Sequence, residues 1–267
     1  MGLHHSEEKL SMYHFFVKPE QIGKNEIIIE GPDVNHIGHV LRMKPGEQVR
    51  LCTGEDNKDY RCEISEIEAD RVICNICWVE ESDIELPSKI TLYQGLPKSD
   101  KMETVVQKAV ELGAYRVVPV DTKRSIVKLD AKKAANKIRR WNAVSESAAK
   151  QSKRMIIPEV AELKTFAQAL QEASELDCIL IPYELSEDMD HTREVIENIK
   201  PGQSVGIFIG PEGGFDPAEV QKVLEAGGHA ITLGRRILRT ETAGMTVLSA
   251  LMFHLEGKKE PGLVEED

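Results

Sequence analysis

Along roughly the first 80 residues, apolar and polar positions alternate in short runs: Tyr13–Val17, Glu26–Ile29, Gln48–Cys52, Asp59–Ile67 and Arg71–Val79. A period of two, rich in β-branched residues, is the mark of half-buried strands. Turn sequences such as Lys44-Pro45-Gly46 and Gly54-Glu55-Asp56-Asn57 separate the runs. One helical piece, Asp33–Leu41, interrupts them, with Asp33 as its expected N-cap. Together these predict a small β-barrel over residues 1–80. The acidic stretch Glu80–Glu85, followed by Leu86-Pro87-Ser88, predicts a linker over 81–88.

From Lys89 the period changes. Apolar strand runs at Ile90–Gln94, Arg116–Val120, Cys178–Pro182, Val205–Ile209 and Ala230–Leu233 alternate with helical patterns. That order predicts an α/β domain with a largely parallel sheet over residues 89–267. The helix from Ser99 to Leu112 sets Met102, Val105, Val106, Ala109 and Leu112 on one stripe and stops at Gly113. A longer helix runs from about Ala131 to Lys150. Asp216, Pro217 and Glu219 are N-cap, N1 and N3 of another, which ends at Gly227-Gly228. A last helix covers Thr240 to Leu255.

Composition narrows the class. With 41% hydrophobic and 30% charged residues in 267, the chain has enough apolar side chains for two packed cores. No apolar run nears the ~20 residues that span a bilayer. Met1–Ser11 has no apolar h-region, so a cytoplasmic protein with a frayed N-terminal extension is expected. Of the five cysteines, Cys74 and Cys77 form one CxxC, with no second pair to complete a zinc site. On a strand, positions three apart face opposite sides, so reduced structural cysteines are expected.

The net charge of −11 argues against a nucleic-acid partner until its distribution is considered. Residues 1–88 carry 9 basic and 18 acidic side chains, and residues 161–267 carry 9 and 20. Residues 89–160 reverse the balance, with 16 basic and 7 acidic. A field this local attracts polyanions despite the acidic total. A solvated, lysine-rich helix face is the competing explanation.

Two segments concentrate candidate chemistry. In Ile207-Phe-Ile-Gly-Pro-Glu-Gly-Gly-Phe215, a buried strand runs into a glycine-rich turn and then a capped helix. Ligands of open α/β sheets bind beyond such strand ends, where backbone amides come close. No Gly-Lys-Ser/Thr follows, so this is not a Walker A loop. The alternative is a tight turn that needs positive φ. In Leu233-Gly-Arg-Arg-Ile-Leu-Arg-Thr-Glu-Thr-Ala243, a second strand end carries Arg235, Arg236 and Arg239 into a helix. There Thr240 or Thr242 is the expected cap, and Glu241 suits the positive end of the helix. Arginines beside a glycine loop bind phosphate or orient a base; ordinary ion pairs are the alternative.

These two stretches and the short C-terminal helix resemble the SPOUT methyltransferases. Within them, the chain is similar to the 16S ribosomal RNA uridine-N3 methyltransferases of the RsmE type. The resemblance extends over nearly the whole chain: Asn35-His36-Ile-Gly-His-Val-Leu-Arg42-Met-Lys-Pro-Gly46, Lys101-Met-Glu-Thr-Val-Val-Gln107-Lys108 with Glu111-Leu-Gly113, Arg124-Ser125, and Gln151-Ser152-Lys-Arg154 with Pro158. It would place Glu or Ala at position 147, where this chain has Ser147.

The resemblance implies a PUA-like barrel followed by an α/β domain tied in a deep trefoil knot, working as a homodimer. It implies S-adenosylmethionine as donor, S-adenosylhomocysteine as product, no metal, and 16S rRNA or the assembled small subunit as substrate. The donor would lie among three loops: Ile181-Pro182-Tyr183-Glu184, Gly210-Pro211-Glu212-Gly213-Gly214, and Leu233-Gly234 with Ile237-Leu238, bordered by Thr240, Thr242 and Ala243. Arg239 would orient the base or stabilise the uridinate, and Glu212 or Glu241 would accept the proton, best with a raised pKa. His36, Arg42, Lys98, Lys101, Arg124, Lys128 and Arg154 would meet RNA phosphates. Ribose 2′-O methylation, a non-catalytic RNA-binding adaptor and a phosphate-binding α/β protein of nucleotide metabolism are the alternatives.

Overall fold

Five strands build the first unit: β1 (Tyr13–Phe16), β2 (Glu26–Glu30), β3 (Gln48–Cys52), β4 (Lys58–Ile67) and β5 (Arg71–Glu81). The structure, a computed structural model, describes residues 12–186 and 188–258, so the extension 1–11 lies outside the described residues. The sheet order is β1-β3-β4-β5-β2, with β1 parallel to β3 and the other pairs antiparallel. The pairing is thus a mixed five-stranded sheet, and no register joins β1 to β2 among the described residues.

Alternation along the strands works as the sequence requires. Phe15, Val49, Leu51, Cys62, Ile64, Val72 and Cys74 line one core, while Cys77 is exposed. Burial pushes the Cys62 and Cys74 thiols up to about 12, which leaves them protonated and inert. Helix α1 (Pro32–Asn35) runs into a single π turn, His36–Val40. Its N-cap is Gly31 at φ 79, not Asp33. Pro32, with its fixed φ, starts the helix early, and Asp33 instead accepts from Lys150 Nζ at 3.1 Å.

The second face of this sheet carries buried charge. His14 registers with Arg50, and Arg50 with Arg61. Asp59 Oδ2 accepts from Arg50 at 2.6 Å and lies 3.1 Å from Arg61, whose guanidinium also reaches Glu80 at 2.9 Å. Burial, reinforced by Arg50, Arg61, Lys150 and Lys153, pushes the His14 imidazole down to about 3. Folded His14 therefore stays neutral while the unfolded chain takes up a proton as pH falls below ~6.5. Stability is full above that pH and declines below it, by up to about 1.4 kcal/mol per pH unit until pH nears 3. Urea midpoints of wild type and His14→Gln, compared at pH 7 and pH 5, should diverge by about 2 kcal/mol. Parallel profiles would remove His14 as the cause.

Ala149–Ile157 belongs to this unit, although the sequence pattern assigns it to the second domain. Ile157 N–H donates to Gly54 O at 3.1 Å. Arg154, expected at an RNA surface, is 5% exposed. Its guanidinium lies against the Glu85 carboxylate, which also accepts from Met155 N–H at 2.9 Å. Arg154 is therefore a structural cation with no access to a phosphate. Glu85 closes the unit, and the chain crosses to the other at Leu86, inside the expected linker.

The second unit takes Leu86–Ala148 and the chain from Pro158 onward. Its strands are β6 (Lys89–Gly95), β7 (Arg116–Asp121), β8 (Glu159–Val160), β9 (Lys164–Thr165), β10 (Cys178–Pro182), β11 (Ser204–Ile209) and β12 (His229–Ile231). They run parallel in the order β12-β10-β11-β6-β7-β8, with β9 beside β7. The helices are α2 (Lys101–Glu111), α3 (Ala131–Ser152, whose last residues from Ala149 count with the first unit), α4 (Phe166–Ala173), α5 (Met189–Asn198), α6 (Pro217–Glu225) and α7 (Thr240–Leu255). Tyr93 stacks on Phe208 at 4.6 Å in the core. Helix α2 caps on Asp100 instead of Ser99, which sits at φ 56. No described helix is long and apolar enough to cross a membrane.

Candidate cofactor and RNA site

Because β12, β10 and β11 are parallel neighbours, the turns that follow them emerge side by side on one edge of the sheet. This brings together three segments far apart in sequence: 182–186, 210–216 and 232–239.

The middle turn is held from several sides. Gly210 packs so closely that a Cβ would sit 2.9 Å from Gly214 C and 3.0 Å from its Cα. Gly214 at φ +66 closes the turn with its N–H on Pro211 O at 2.8 Å. At the end of β6, a Cβ on Gly95 would meet Pro211 Cδ at 2.7 Å. Thr240 Oγ1 donates to Gly210 O at 2.6 Å and accepts from Gln94 Nε2 at 2.8 Å. Arg124 donates to Gly213 O at 3.0 Å, and Lys123 Nζ lies 2.9 Å from Asp216. Buried Glu219, N3 of the expected capping box, also accepts from Lys123 N–H at 2.9 Å. A turn fixed this thoroughly before any ligand arrives loses little further entropy on binding.

The charged groups resolve differently from the sequence expectation. Lys101 Nζ lies 3.2 Å from Glu212 Oε1 and 3.3 Å from Glu241 Oε2. It therefore bridges two carboxylates and is not free for RNA phosphates. The Glu212 contact, joined by Glu241, holds the ammonium above its ordinary range. Burial raises the Glu212 carboxyl, but backbone amides, Lys98 N–H among them, and Lys101 outweigh it and hold Glu212 below the usual carboxylate range. A proton-accepting carboxylate works best with a raised pKa; the charge-assisted partners of Glu212 move it the other way.

Helix α7 caps on Arg239, with no side-chain cap from Thr240 or Thr242. Thr240 is N1, buried, and its hydroxyl is engaged by Gly210 O and Gln94, which leaves its main-chain N–H as the group it could offer a ligand. Glu241 occupies the first turn as expected. Arg239, Arg235, Arg236 and Thr242 are exposed, and Ala243 is half-buried.

Of the other expected ligand residues, Ile181 is a fully buried strand residue whose side chain lines the core. Pro182 and Tyr183 are half-buried at the turn, with Tyr183 N–H on Ile231 O at 3.0 Å. Leu233, Gly234 (φ +98) and Leu238 line the third turn, and Ile237 stands 90% exposed. Lys98 and Lys128 are exposed, the latter 2.6 Å from Asp121. In the first unit, His36 is exposed with its ring edge-on to Phe15 at 6.3 Å, and Arg42 is exposed at φ 55.

Gln94 and Lys123 escape a reading from sequence, because each acts through a partner more than 90 residues away. The capping box at Asp216 was visible; the second partner of Glu219 was not. Glycine at 210, 214 and 234 keeps the turns free of side chains where an adenosyl group would approach backbone, so the residues present suit S-adenosylmethionine. Among the described residues, no cluster of His, Cys, Asp and Glu suited to a metal occurs.

The chain matches the RNA methyltransferase domain family over residues 84–252 and the RNA methyltransferase PUA domain family over 29–77. It is 39% identical over 232 residues to the ribosomal RNA small subunit methyltransferase E of Bacillus subtilis, covering 85% of this chain and 90% of that one. This chain belongs to the ribosomal RNA small subunit methyltransferase E family. The member from Aquifex aeolicus is 32% identical, over 90% of this chain and 99% of its own. The crystal structure of the Neisseria gonorrhoeae methyltransferase E, bound to S-adenosyl methionine, superposes with a TM-score of 0.77 at 33% identity. That match covers 90% of this chain and 96% of the other. Methyltransferase E members thus share both units, the PUA-like one and the parallel-sheet one.

Proposed function

We propose that this protein transfers the methyl group of S-adenosylmethionine to N3 of a uridine in 16S ribosomal RNA, releasing S-adenosylhomocysteine. The observation that carries the reading is the preorganised turn Gly210–Gly214, flanked on the same sheet edge by the turns after β10 and β12. Tyr183, Gly210, Gly213, Gly214, Gly234 and Leu238 would hold the donor, largely through backbone groups. When bound, the sulfonium supplies an electrophilic methyl group.

Uridine N3 becomes nucleophilic only as its proton leaves. Glu212, kept ionised by Lys101 and Lys98 N–H, would accept a hydrogen bond from N3–H and, as the methyl group leaves sulfur and bonds to N3, take that proton and pass it to solvent. The main electrostatic work therefore falls to Arg239. Its cation stabilises the developing uridinate at O2 or O4. Glu241, on the other side of Lys101, is the second candidate acceptor. Arg239→Ala should lower kcat by about 100-fold or more while S-adenosylmethionine still binds. Unchanged turnover would remove Arg239 from the chemistry.

The same reading includes a trefoil knot in the second unit, which rests on the family resemblance. It includes a homodimer, supported by Ile237 and Phe253, 90% and 87% exposed apolar side chains that a second copy would cover. It places the enzyme in the cytoplasm, acting on rRNA or on the assembled subunit. The test is methyl transfer onto small-subunit particles that lack the modification, read by nucleoside mass spectrometry. Appearance of 3-methyluridine supports the proposal. A 2′-O-methylated nucleoside, or no transfer, defeats it.

A further inference from the structure

Helix α3 carries its charge at the energetically wrong end. Between Ala131 and Ser145 there is no acidic residue, while Lys132, Lys133, Lys137, Arg139 and Arg140 all fall in its first three turns. Cations there oppose the helix macrodipole. Lys133 and Lys137, at i,i+4, and Lys137 and Arg140, at i,i+3, also repel one another. Asp130 caps α3, accepting from Lys133 N–H at 2.8 Å, but that single carboxylate faces five cations, whereas α6 sets Asp216 and Glu219 at its start.

We infer that this half of α3 is a docking face for the sugar-phosphate backbone of the RNA substrate. The inference rests on the proposed rRNA methyltransferase activity and names the surface that receives the polyanion. The opposite face fixes the helix in place. Ala134, Trp141, Ser145 and Ala148 are buried, and Asn142 pairs with Val160 through both its donor (2.8 Å) and its acceptor (2.9 Å). Apolar anchoring of that kind leaves no amphipathic face for a lipid surface.

Local carboxylates do not account for the charge. Lys133 meets Asp130 at 3.3 Å, and Arg140 meets Glu103 at 2.8 Å. Lys137 Nζ lies 5.9 Å over the Trp141 ring. Lys132 and Arg139 are exposed, with no ion pair among the described residues. At 1.5 Å per residue, positions 132 to 140 span about 12 Å, room for a run of successive phosphates. The chain leading into this face also touches the site. The segment leading into α3 from β7 contains Lys123 and Arg124, the residues bonded to the Gly210–Asp216 turn. RNA lying along α3 is thus led toward the three turns.

The test is the double variant Lys132→Glu/Arg139→Glu in the full-length protein. Neither side chain touches the site, both are exposed, and Lys132→Glu falls in the first turn, where a carboxylate suits the helix, so folding should be preserved. Titration with S-adenosylmethionine should match wild type. The KM for small-subunit RNA should rise at least 10-fold with kcat retained at saturating RNA, and the slope of log K against log salt should fall by about 1 to 2. An unchanged RNA KM and salt slope, with donor binding intact, overturns this surface alone. A wild-type protein that binds no ribosomal RNA overturns the surface and the proposed function together.

Discussion

Replacing Gly210 with Ala should cost kcat/KM about 100-fold or more, close to 3 kcal/mol of transition-state stabilisation, while leaving the fold intact. The reason is space. Gly210 is not held at positive φ, but its missing Cβ points at the main chain of Gly214, 2.9 to 3.0 Å away. Backbone cannot rotate aside as a flexible side chain can, so the turn must open. Opening it also pulls Gly210 O from Thr240 Oγ1, and with it the link through Gln94 to β6. Gly214 offers the contrast: open space surrounds it, and its demand is conformational, at φ +66. Calorimetric titration of Gly210→Ala with S-adenosylmethionine, beside turnover and a thermal midpoint, separates a damaged cradle from a damaged fold. Donor affinity within about threefold of wild type would show that the turn tolerates the methyl group.

Periodicity carried the fold far because the two units obey simple rules. Strand β3 and helix α7 have the bounds that alternation and the Thr240 start suggest. The short α4 and α5 have too few turns for a clear stripe, although the Thr165 and Gln168 capping box marks the start of α4 locally. What no local rule shows is the return of Ala149–Ile157 to the first unit. That segment begins as the last turn of a continuous helical pattern and ends in irregular chain, and its partners Asp33, Gly54 and Glu85 lie far upstream. For the site, glycine and arginine clustering marked the turns, whereas ionisation did not follow from residue type. By residue type and setting Lys101 suits a phosphate contact, yet it bridges two carboxylates.

Glu85→Ala should destabilise the protein by about 3–5 kcal/mol, the largest stability loss expected of a single substitution away from the core. Arg154 has only 6% of its side chain exposed, and Glu85 11%. Removing the carboxylate takes a counter-charge from a guanidinium that stays protonated and almost fully enclosed. It also orphans the Met155 N–H. Chemical denaturation at neutral pH measures the loss. Because Arg154 is enclosed, the variant that remains folded at low temperature should keep its salt-dependent affinity for RNA. A shift in midpoint of less than about 1 kcal/mol would mean that solvent reaches the pair.

The return of residues 149–157 to the first unit also bears on synthesis. While the ribosome is still translating the middle of the chain, the amino-terminal sheet waits with Glu85 and Gly54 lacking their counterparts. Some seventy codons must be read before those arrive. Nascent chains should therefore gain protease resistance in that sheet only after residue 157 clears the exit tunnel, late for a module that begins so near the start.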